Sequence, residues 1–417
     1  MFNSSKLQRR GNSKMRKKWR LFQATDFESL MNPSFTFCQI LGTFPYKIKD
    51  STFEISKPRY ILSTVVVCIV FIGLLTNLYI FNICESCWKI YFKGVPRILE
   101  RDLFFILSSF IAIVTYILSD PRMSLLQAIM KISLKLPSKS HQKLSRLIHT
   151  KDLLGSICLL VEVPIYLKMN IHVAIKIFIL YINLLIFQMD MLYMNCVCVL
   201  KACFKKINDD LEDMREHMMK NEKVYHLGRI YKQKSSFLLI KLKALKKQYI
   251  IISNTVQMLN MIFSLQLLAT ITITFGEITF QLYFHILYWH DGTTMFKMAD
   301  NFYSTYLTIS ITYYFIKITL IIWACETGKN QAVQIGTTVH DVLNSTVNNE
   351  IKAELQLFSM QILHHKNKFF AKGLIVDATL LTAIVGNITT YLIILVQFLT
   401  MSNFCNRKIA NVTQIIQ

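Results

Sequence analysis

Long apolar runs alternate with basic and polar segments along the whole chain. A membrane helix needs about 20 mainly apolar residues to cross roughly 30 Å, so these runs predict an all-α membrane protein with seven transmembrane helices. The predicted spans are 60–82, 102–119, 152–168, 171–200, 257–284, 303–325 and 373–401. The third is the weakest, because it is short and carries Glu162 and Pro164. If spans three and four formed one broken element, both termini would lie on the same side of the membrane.

The spans divide the chain into segments that we expect to differ in environment. They are the N-terminal segment 1–59, spans one to four in 60–200, a helical segment 201–256, spans five and six in 257–325, an anchor-helix region 326–372, the last span in 373–401 and a tail 402–417. In the anchor region, Ile351, Leu355, Phe358 and Ile362 recur on one face of a helix. Spans four to six are therefore expected to continue into a packed cytoplasmic bundle where subunits meet. A solvated helix pair on the membrane surface is the alternative.

Basic residues mark the orientation. Segments 1–59, 120–151, 201–256 and 326–372 hold 37 Lys and Arg, against 7 in 83–101, 169–170, 285–302 and 402–417. Because positively charged loops stay in the cytoplasm, the N-terminus is predicted inside and the C-terminus outside. The formal charge of +22 thus belongs to loops between spans, and we expect no nucleic-acid partner.

Composition agrees with a membrane protein and offers no enzyme chemistry. Hydrophobic residues make up 53% of the chain and charged residues 17%, against roughly a quarter charged in soluble proteins. No two glycines lie two positions apart, which excludes the dinucleotide fingerprint and the G-x-S-x-G elbow. We therefore expect no catalytic residue, cofactor or metal site. Cys84 and Cys87 form a single C-x-x-C, and together with Cys405 they are predicted extracellular, where a disulfide is allowed.

Ionisable residues inside spans are costly and often functional. The candidates are Glu162, Lys176, Asp190, Glu277 and Lys317, with Asp377 near a cytoplasmic end. Structural ion pairs between helices are the alternative, and Glu162 and Lys176 could pair across the short turn between spans three and four.

Polar and aromatic residues in the predicted outer halves of spans five and six suggest a ligand site. Glu277, Gln281, Tyr306 and Tyr313 combine an acid, an amide and two aromatic rings at that depth. Such a set would suit a small polar or amphipathic ligand. Ordinary aromatic residues of the membrane interface explain some of them equally well.

The last span carries the most specific motif. Thr390-Tyr391 is followed by five hydrophobic residues and then by Gln397-Phe398. This pattern, late in a long apolar helix with a short polar tail, resembles the signature of the insect gustatory receptors. The early stretch 41–46 (Leu-Gly-Thr-Phe-Pro-Tyr) also resembles gustatory and pheromone receptors of the twenty-eight type. Length, seven spans, an inside N-terminus and basic cytoplasmic loops agree with that family over nearly the whole chain.

The resemblance implies a taste receptor of the plasma membrane, in sensory-neuron dendrites. It implies a ligand-gated, non-selective cation channel, formed as a homotetramer or a heteromer with related receptors and opened by a small-molecule tastant bound in the outer half of the helices. The last helix would line the pore, with Phe398 as part of the motif. Thr390, Ile393 and Gln397 share one helical face, so we expect them to face the pore; in the alternative, Gln397 only caps a packed helix end.

Two other classes of membrane protein are alternatives to this family. A G-protein-coupled receptor places its N-terminus outside, against the distribution of basic residues, and the chain has neither an Asp/Glu-Arg-Tyr motif after span three nor Asn-Pro-x-x-Tyr in span seven. A small-solute transporter would be expected to show internal repeats or paired helices broken by Gly and Pro. The sequence shows neither feature.

Overall fold

The computed structural model describes residues 22–49, 52–82, 95–168, 172–222, 228–291 and 300–416. In these residues the chain forms ten helices and two short β-hairpins. The helices are α1 (Phe27–Ile40), α2 (Lys57–Asn82), α3 (Val95–Ile117), α4 (Ser119–Ser133), α5 (Ser138–Lys168), α6 (Val173–Glu222), α7 (Gly228–Asp291), α8 (Asp300–Asn344), α9 (Asn349–His364) and α10 (Ala378–Ile416). The strands are β1 (Tyr46–Lys49), β2 (Thr52–Ile55), β3 (Phe370–Ala371) and β4 (Leu374–Ile375). The prediction of a helical protein is confirmed, and the two hairpins are additional.

Five helices of the described residues contain segments long and apolar enough to cross a membrane. These are Lys57–Ile80, Val173–Met219, Ser236–Trp289, Ser304–Asn344 and Ala378–Met401. A sixth span is possible by length and composition if α3 and α4, bent by 67° at their junction, count as one. The predicted third span lies in α5, which does not meet this test. The chain is thus a membrane protein by its apolar helices, and the count of seven stays a prediction.

Helix α6 is the centre of the bundle. Its side chains from Leu185 to Leu200 are all buried, including the polar Gln188, Asp190 and Asn195, each of which has a hydrogen-bond partner in the bundle. It packs along α8, and α7 packs against both α8 and α3. Helices α6, α7 and α8 have 50, 64 and 45 residues, and α7 is therefore about 96 Å long. These lengths agree with the expected continuation beyond the membrane.

The predicted apolar face of the anchor region is buried. Ile351, Leu355 and Phe358 of α9 are 2%, 0% and 0% exposed, and α9 packs on α8 and α7. Asn348 caps the N-terminus of α9, and its side chain accepts hydrogen bonds from the amides of the first turn. This confirms the predicted periodicity, because the apolar spacing places these residues on one side of the helix.

The described part of the N-terminal segment, from residue 22 onward, forms a cap that packs against the bundle. The stretch 41–46 leads into the β1–β2 hairpin, and Phe44 stacks on Phe35 of α1 with ring centroids 4.9 Å apart. Gly42 has a φ of +71°, and a Cβ at that position would lie 3.0 Å from Val66, so glycine is required there. The Tyr46 hydroxyl donates to Asp120 Oδ1 at 2.9 Å. These contacts tie the cap to α2 and α4.

Two helix boundaries differ from the predictions. Helix α3 begins at Val95 rather than near residue 102, and Arg97 and Arg101, which we assigned to a loop, are only 5% and 8% exposed. Helix α10 begins at Ala378 rather than at Gly373, which has a φ of +92° in the β3–β4 turn. It continues to Ile416, so the backbone of the predicted tail is helical. Helix α3 begins earlier because its charged side chains are paired within the bundle. Helix α10 begins later because the glycine turn at Gly373 precedes it.

Candidate ligand site and last helix

Polar side chains of α7 and α3 meet where both helices lie near their expected outer ends. Gln281 Nε2 donates to Glu100 Oε1 at 2.8 Å and lies 3.5 Å from Glu277 Oε2. Glu100 also pairs with Arg97 at 2.5 Å, and the Arg97 guanidinium lies 4.5 Å from the centre of the Phe284 ring. Glu277 and Gln281 are buried, at 9% and 1% exposure. The upper part of the site is therefore a buried ion pair joined by an amide to a second acid.

Helix α8 presents aromatic rings to the same region. Tyr306 packs against an apolar cluster formed by Phe280, Tyr283, Phe284, Leu287 and Leu307. Two turns further along the same face of the helix, Tyr313 is buried and its ring lies 5.1 Å from that of Tyr314. Tyr306 interacts electrostatically with both Glu277 and Arg97. The aromatic side chains thus border the polar groups of α7 and α3.

A second buried ion pair lies deeper in the bundle. Lys317 Nζ of α8 is 3.7 Å from Asp190 Oδ2 of α6, and the two side chains are 3% and 0% exposed. The Thr270 hydroxyl of α7 donates to Asp190 Oδ1 at 2.9 Å. Lys317 Nζ also lies 5.0 Å from the centre of the Tyr314 ring. These contacts connect α6, α7 and α8. They agree with a structural ion pair between helices, which is the alternative given above for Asp190 and Lys317.

Glu162 and Lys176 do not form the pair that their closeness in sequence suggested. Lys176 Nζ donates to the Leu167 carbonyl at 2.7 Å. Glu162 is 4% exposed, and its Oε1 accepts no hydrogen bond from the described residues. It lies within electrostatic reach of Lys317. The acid is therefore buried within electrostatic range of Lys317 on α8 and does not pair with Lys176.

The last helix is packed on one face alone. Ile384 and Ile388 are buried at 7% exposure, and Leu392, Leu395 and Leu399 pack against the cluster around Phe284. At about 100° per residue, the positions of Thr390, Ile393 and Gln397 lie roughly opposite this face.

The opposite face and the flanks of α10 are exposed. Thr390, Ile393 and Gln397 are all exposed, Ile393 at 53%. Phe398 is 70% exposed and lies on a flank, about 100° from Gln397. Tyr391, on the same flank, contacts Phe275 edge-on with ring centroids 5.8 Å apart. The single chain thus leaves the face that carries Thr390, Ile393 and Gln397 uncovered.

Charged residues fix the start of α10. Lys329 Nζ of α8 lies 3.2 Å from Asp377 Oδ2 and 2.9 Å from Glu326 Oε2. Glu326 also accepts a hydrogen bond from the Ala378 amide at 3.3 Å. The hydrogen bonds from Thr379, followed by the contact with Lys329, hold the pKa of the Asp377 carboxyl below its ordinary value. The predicted ionisable residue at this end therefore anchors the helix.

The described residues contain no group of three or more His, Cys, Asp and Glu side chains that could hold a metal ion. Cys84 and Cys87 lie outside the described residues. Cys405 lies in the part of α10 of which only the backbone is described.

The match with a known family covers most of the chain. A model of the family described as 7tm Chemosensory receptor matches residues 31–402. The chain belongs to this chemosensory receptor family. This match confirms the receptor family that the motif at 390–398 predicted.

Two proteins of Drosophila melanogaster are similar to parts of this receptor. The one named gustatory receptor 28b is 37% identical over 147 residues, which are 34% of this chain and 31% of that protein. The one named gustatory receptor 28a is 36% identical over 101 residues, which are 24% of this chain and 22% of that protein. The aligned stretches therefore span less than a third of either relative.

A solved structure shares the fold of the receptor over nearly its full length. The insect olfactory receptor OR5 from Machilis hrabei has a TM-score of 0.66 and 13% identity, covering 88% of this chain and 97% of that chain. The structure of OR5 in complex with eugenol gives a TM-score of 0.61 with the same coverage. At this identity the likeness concerns the arrangement of helices.

Sequence reasoning found part of the receptor's polar site. It named Glu277, Gln281, Tyr306 and Tyr313, and the structure brings Glu277 and Gln281 together while Tyr306 borders them. It missed Arg97 and Glu100, because they were assigned to a loop. A signal was available in the sequence: Pro96 suits the first turn of a helix, and Arg97 and Glu100 are spaced i, i+3 on it.

Proposed function

We propose that this receptor is a gustatory receptor and a ligand-gated, non-selective cation channel of the plasma membrane in sensory-neuron dendrites. It opens when a small-molecule tastant binds in the outer half of the helix bundle. Membership of the chemosensory family and the names of the two relatives support a role in taste. The shared fold with an olfactory receptor whose structure with eugenol is known supports a small ligand.

The uncovered face of α10 is the observation that carries the channel proposal. In a homotetramer, or a heteromer with related receptors, four such helices around an axis would bring their exposed faces together. Gln397 then gives a ring of uncharged amides, and Ile393, about 6 Å deeper by helix rise, gives an apolar constriction. Apolar constrictions close pores by dewetting, and a ring without formal charge discriminates little among cations.

The proposed orientation has an inside N-terminus and, with seven spans, an outside C-terminus. The distribution of basic residues supports it. Epitope tags at both ends, stained with and without permeabilisation, give the measurement. Surface staining of an N-terminal tag on intact cells contradicts the orientation and favours a coupled receptor.

The proposed ligand contacts are Glu277, Gln281, Tyr306 and Tyr313. Their burial or partial burial beside an apolar cluster supports a site that orients a small molecule with a few polar groups. A tastant panel on cells that express the receptor identifies an agonist. Alanine variants at the four positions then test the contacts, and four unchanged dose responses would place the site elsewhere.

Recordings of ligand-evoked current test the pore directly. Gln397→Lys is expected to suppress cation current because it adds positive charge to each subunit, and Gln397→Glu is expected to favour divalent entry or block. Gln334→Lys, the same change at an exposed position on the cytoplasmic part of α8, serves as the matched control. Unchanged permeability ratios in a surface-expressed Gln397→Lys channel show that this residue does not line the pore. If the wild type gives no ligand-evoked conductance with any partner subunit, the channel proposal is wrong.

A further inference from the structure

The two buried ion pairs lie at either end of a stretch of the site that holds two acids, and in the described residues neither acid forms an ion pair at contact distance, although Arg97 and Lys317 act on them electrostatically. On α7, Thr270 bonds to the lower pair through Asp190, and Gln281 bonds to the upper pair through Glu100. Glu277 lies between them, about 10 Å from Thr270 and about 6 Å from Gln281 along the helix. No basic residue of the described chain lies within ion-pair distance of Glu277.

Glu162 adds a second acid of the same kind. It approaches α8 from α5, which packs directly on that helix, and it acts electrostatically on Lys317, Tyr306 and Tyr313. Lys317 pairs with Asp190. The described residues of this region therefore hold two balanced ion pairs and two acids left over.

The unsatisfied groups around these acids include two side-chain hydrogen-bond acceptors, beside the Thr274 hydroxyl, which can donate or accept. Glu162 Oε1 and Gln281 Oε1 are buried and receive no hydrogen bond from the described residues. From the described residues, Glu277 receives only the long contact of 3.5 Å from Gln281. Buried acceptors without donors cost free energy, so this stretch of the site favours a ligand that donates hydrogen bonds.

Aromatic rings in the same region already hold cations. The Arg97 guanidinium lies over Phe284 at 4.5 Å, and Lys317 Nζ lies 5.7 Å from the centre of the Tyr313 ring. Ring faces attract cations, and the attraction increases when the cation is removed from water. A ligand cation between the two ion pairs would contact Tyr306 and Tyr313 on α8.

We infer that the receptor recognises an organic cation, an ammonium compound of small size, held between the two ion pairs by Glu277 and Glu162. Tyr306 and Tyr313 supply the aromatic contact. This inference rests on the proposed function, since it names the chemical class of the agonist. It differs from recognition of a neutral polyol, which would use the same acceptors with the two acids protonated.

Matched pairs of compounds separate charge from shape. One pair is choline and its uncharged carbon isostere dimethylbutanol, and another is phenylethylamine and phenylethanol. Each is applied to cells that express the full chain, with recording of current. Each is also added to the detergent-purified receptor, with its thermal unfolding as the readout. The ammonium member of a pair is expected to act at a concentration at least about tenfold lower than the neutral member, because a desolvated charge pair contributes at least that much.

Acid-to-amide variants test the two carboxylates. Glu277→Gln and Glu162→Gln each are expected to weaken the ammonium compounds about tenfold or more and to weaken the neutral ones much less. Glutamine is uncharged and of similar size, so both variants keep the packing. Glu350→Gln, at an exposed position of α9, is the control.

The outcomes separate the inference from the proposed function. Equal potency of the ammonium and neutral members overturns the inference, and so does the absence of any ammonium effect in both readouts. Retention of the ammonium preference in both acid variants also overturns it. A stabilising shift by ammonium compounds without any current supports the cation site and contradicts the channel proposal.

Discussion

Removal of the Lys317 charge is expected to destabilise the receptor strongly. Lys317 is buried in α8 and lies 3.7 Å from Asp190 of α6, whose other oxygen accepts the Thr270 hydroxyl. The variant Lys317→Met keeps the length and apolar character of the side chain. It leaves Asp190 with only the neutral side chains of Thr270 and Gln266 as partners, with Glu162 also within reach of the lost charge. Two acids would then share the region without their base.

The magnitude follows from the burial of the pair. Because the side chains of Lys317 and Asp190 are 3% and 0% exposed, water does not replace the lost partner. Breaking such a buried pair costs about 3–5 kcal/mol, whereas replacing both members by uncharged residues is often close to neutral. The double variant with Asp190→Asn is therefore expected to be more stable than Lys317→Met alone.

Denaturation of the purified receptor in mixed micelles measures these free energies. Lys352→Met, at an exposed position of α9, is the matched control and is expected to change stability by less than about 0.5 kcal/mol. If Lys317→Met equals the wild type, or if the two substitutions at 190 and 317 add independently, the pair does not hold α6 and α8 together.

Three further perturbations test other parts of the structure. Gly155→Ala would place a Cβ 2.7 Å from the buried ring of Phe187 and is expected to lower the free energy of unfolding by about 1–3 kcal/mol. Gly386→Ala, where a Cβ meets nothing within 4 Å, is the control and is expected to be tolerated. Thermal unfolding of the two variants tests this difference. Asp377→Asn is expected to speed amide exchange at the start of α10 at constant pH. Acidification is expected to lower the protection of the same amides relative to their intrinsic exchange rates, because the pKa of Asp377 is depressed and its contribution, complete at neutral pH, is lost as pH falls below the ordinary value of 3.8. Slow exchange in the variant would contradict its role. Ile393→Asn is expected to raise current without ligand by hydrating the constriction; an unchanged basal current would contradict that assignment.

The helices and their packed faces could be predicted because the signals are local. The spacing of Ile351, Leu355 and Phe358 needs only the helical period, and all three are buried. The long apolar runs likewise require no knowledge of neighbours, since their hydrophobicity alone favours a membrane environment. The family motif at 390–398 added the class of protein, because its residues are specific in type and spacing.

The partners of the buried charges could not be predicted from local signals. Asp190 and Lys317 were each recognised as costly inside a span, but their pairing depends on the packing of α6 against α8. Glu162 and Lys176 are close in sequence, yet the structure directs Glu162 toward α8 and Lys176 to a backbone carbonyl. Arg97 resembled a loop residue because its acid partner and the ring of Phe284 become visible only after folding.

The two most exposed spans show that hydrophobicity alone does not determine what surrounds a helix. In both α2 and α10, 17% of the most apolar window is buried within the chain. In α2 the amide of Asn77 is buried and donates to the Gly73 carbonyl at 2.7 Å, and large apolar side chains form most of the exposed surface. Helix α10 instead exposes the amides of Asn387 and Gln397. Asn387 lies about 14 Å along the helix from Ala378, which is near the middle of a membrane.

Lipid tails offer no hydrogen bond to such an amide, and an unsatisfied polar group there costs several kcal/mol. The exposed surface of α2 is suited to lipid, because it is mostly apolar and the amide of Asn77 is buried away from it. The exposed surface of α10 needs water or another protein chain at the depth of Asn387. Both conditions are met where several copies of α10 surround an aqueous path, so polarity, rather than hydrophobicity, distinguishes this helix as the candidate for the pore.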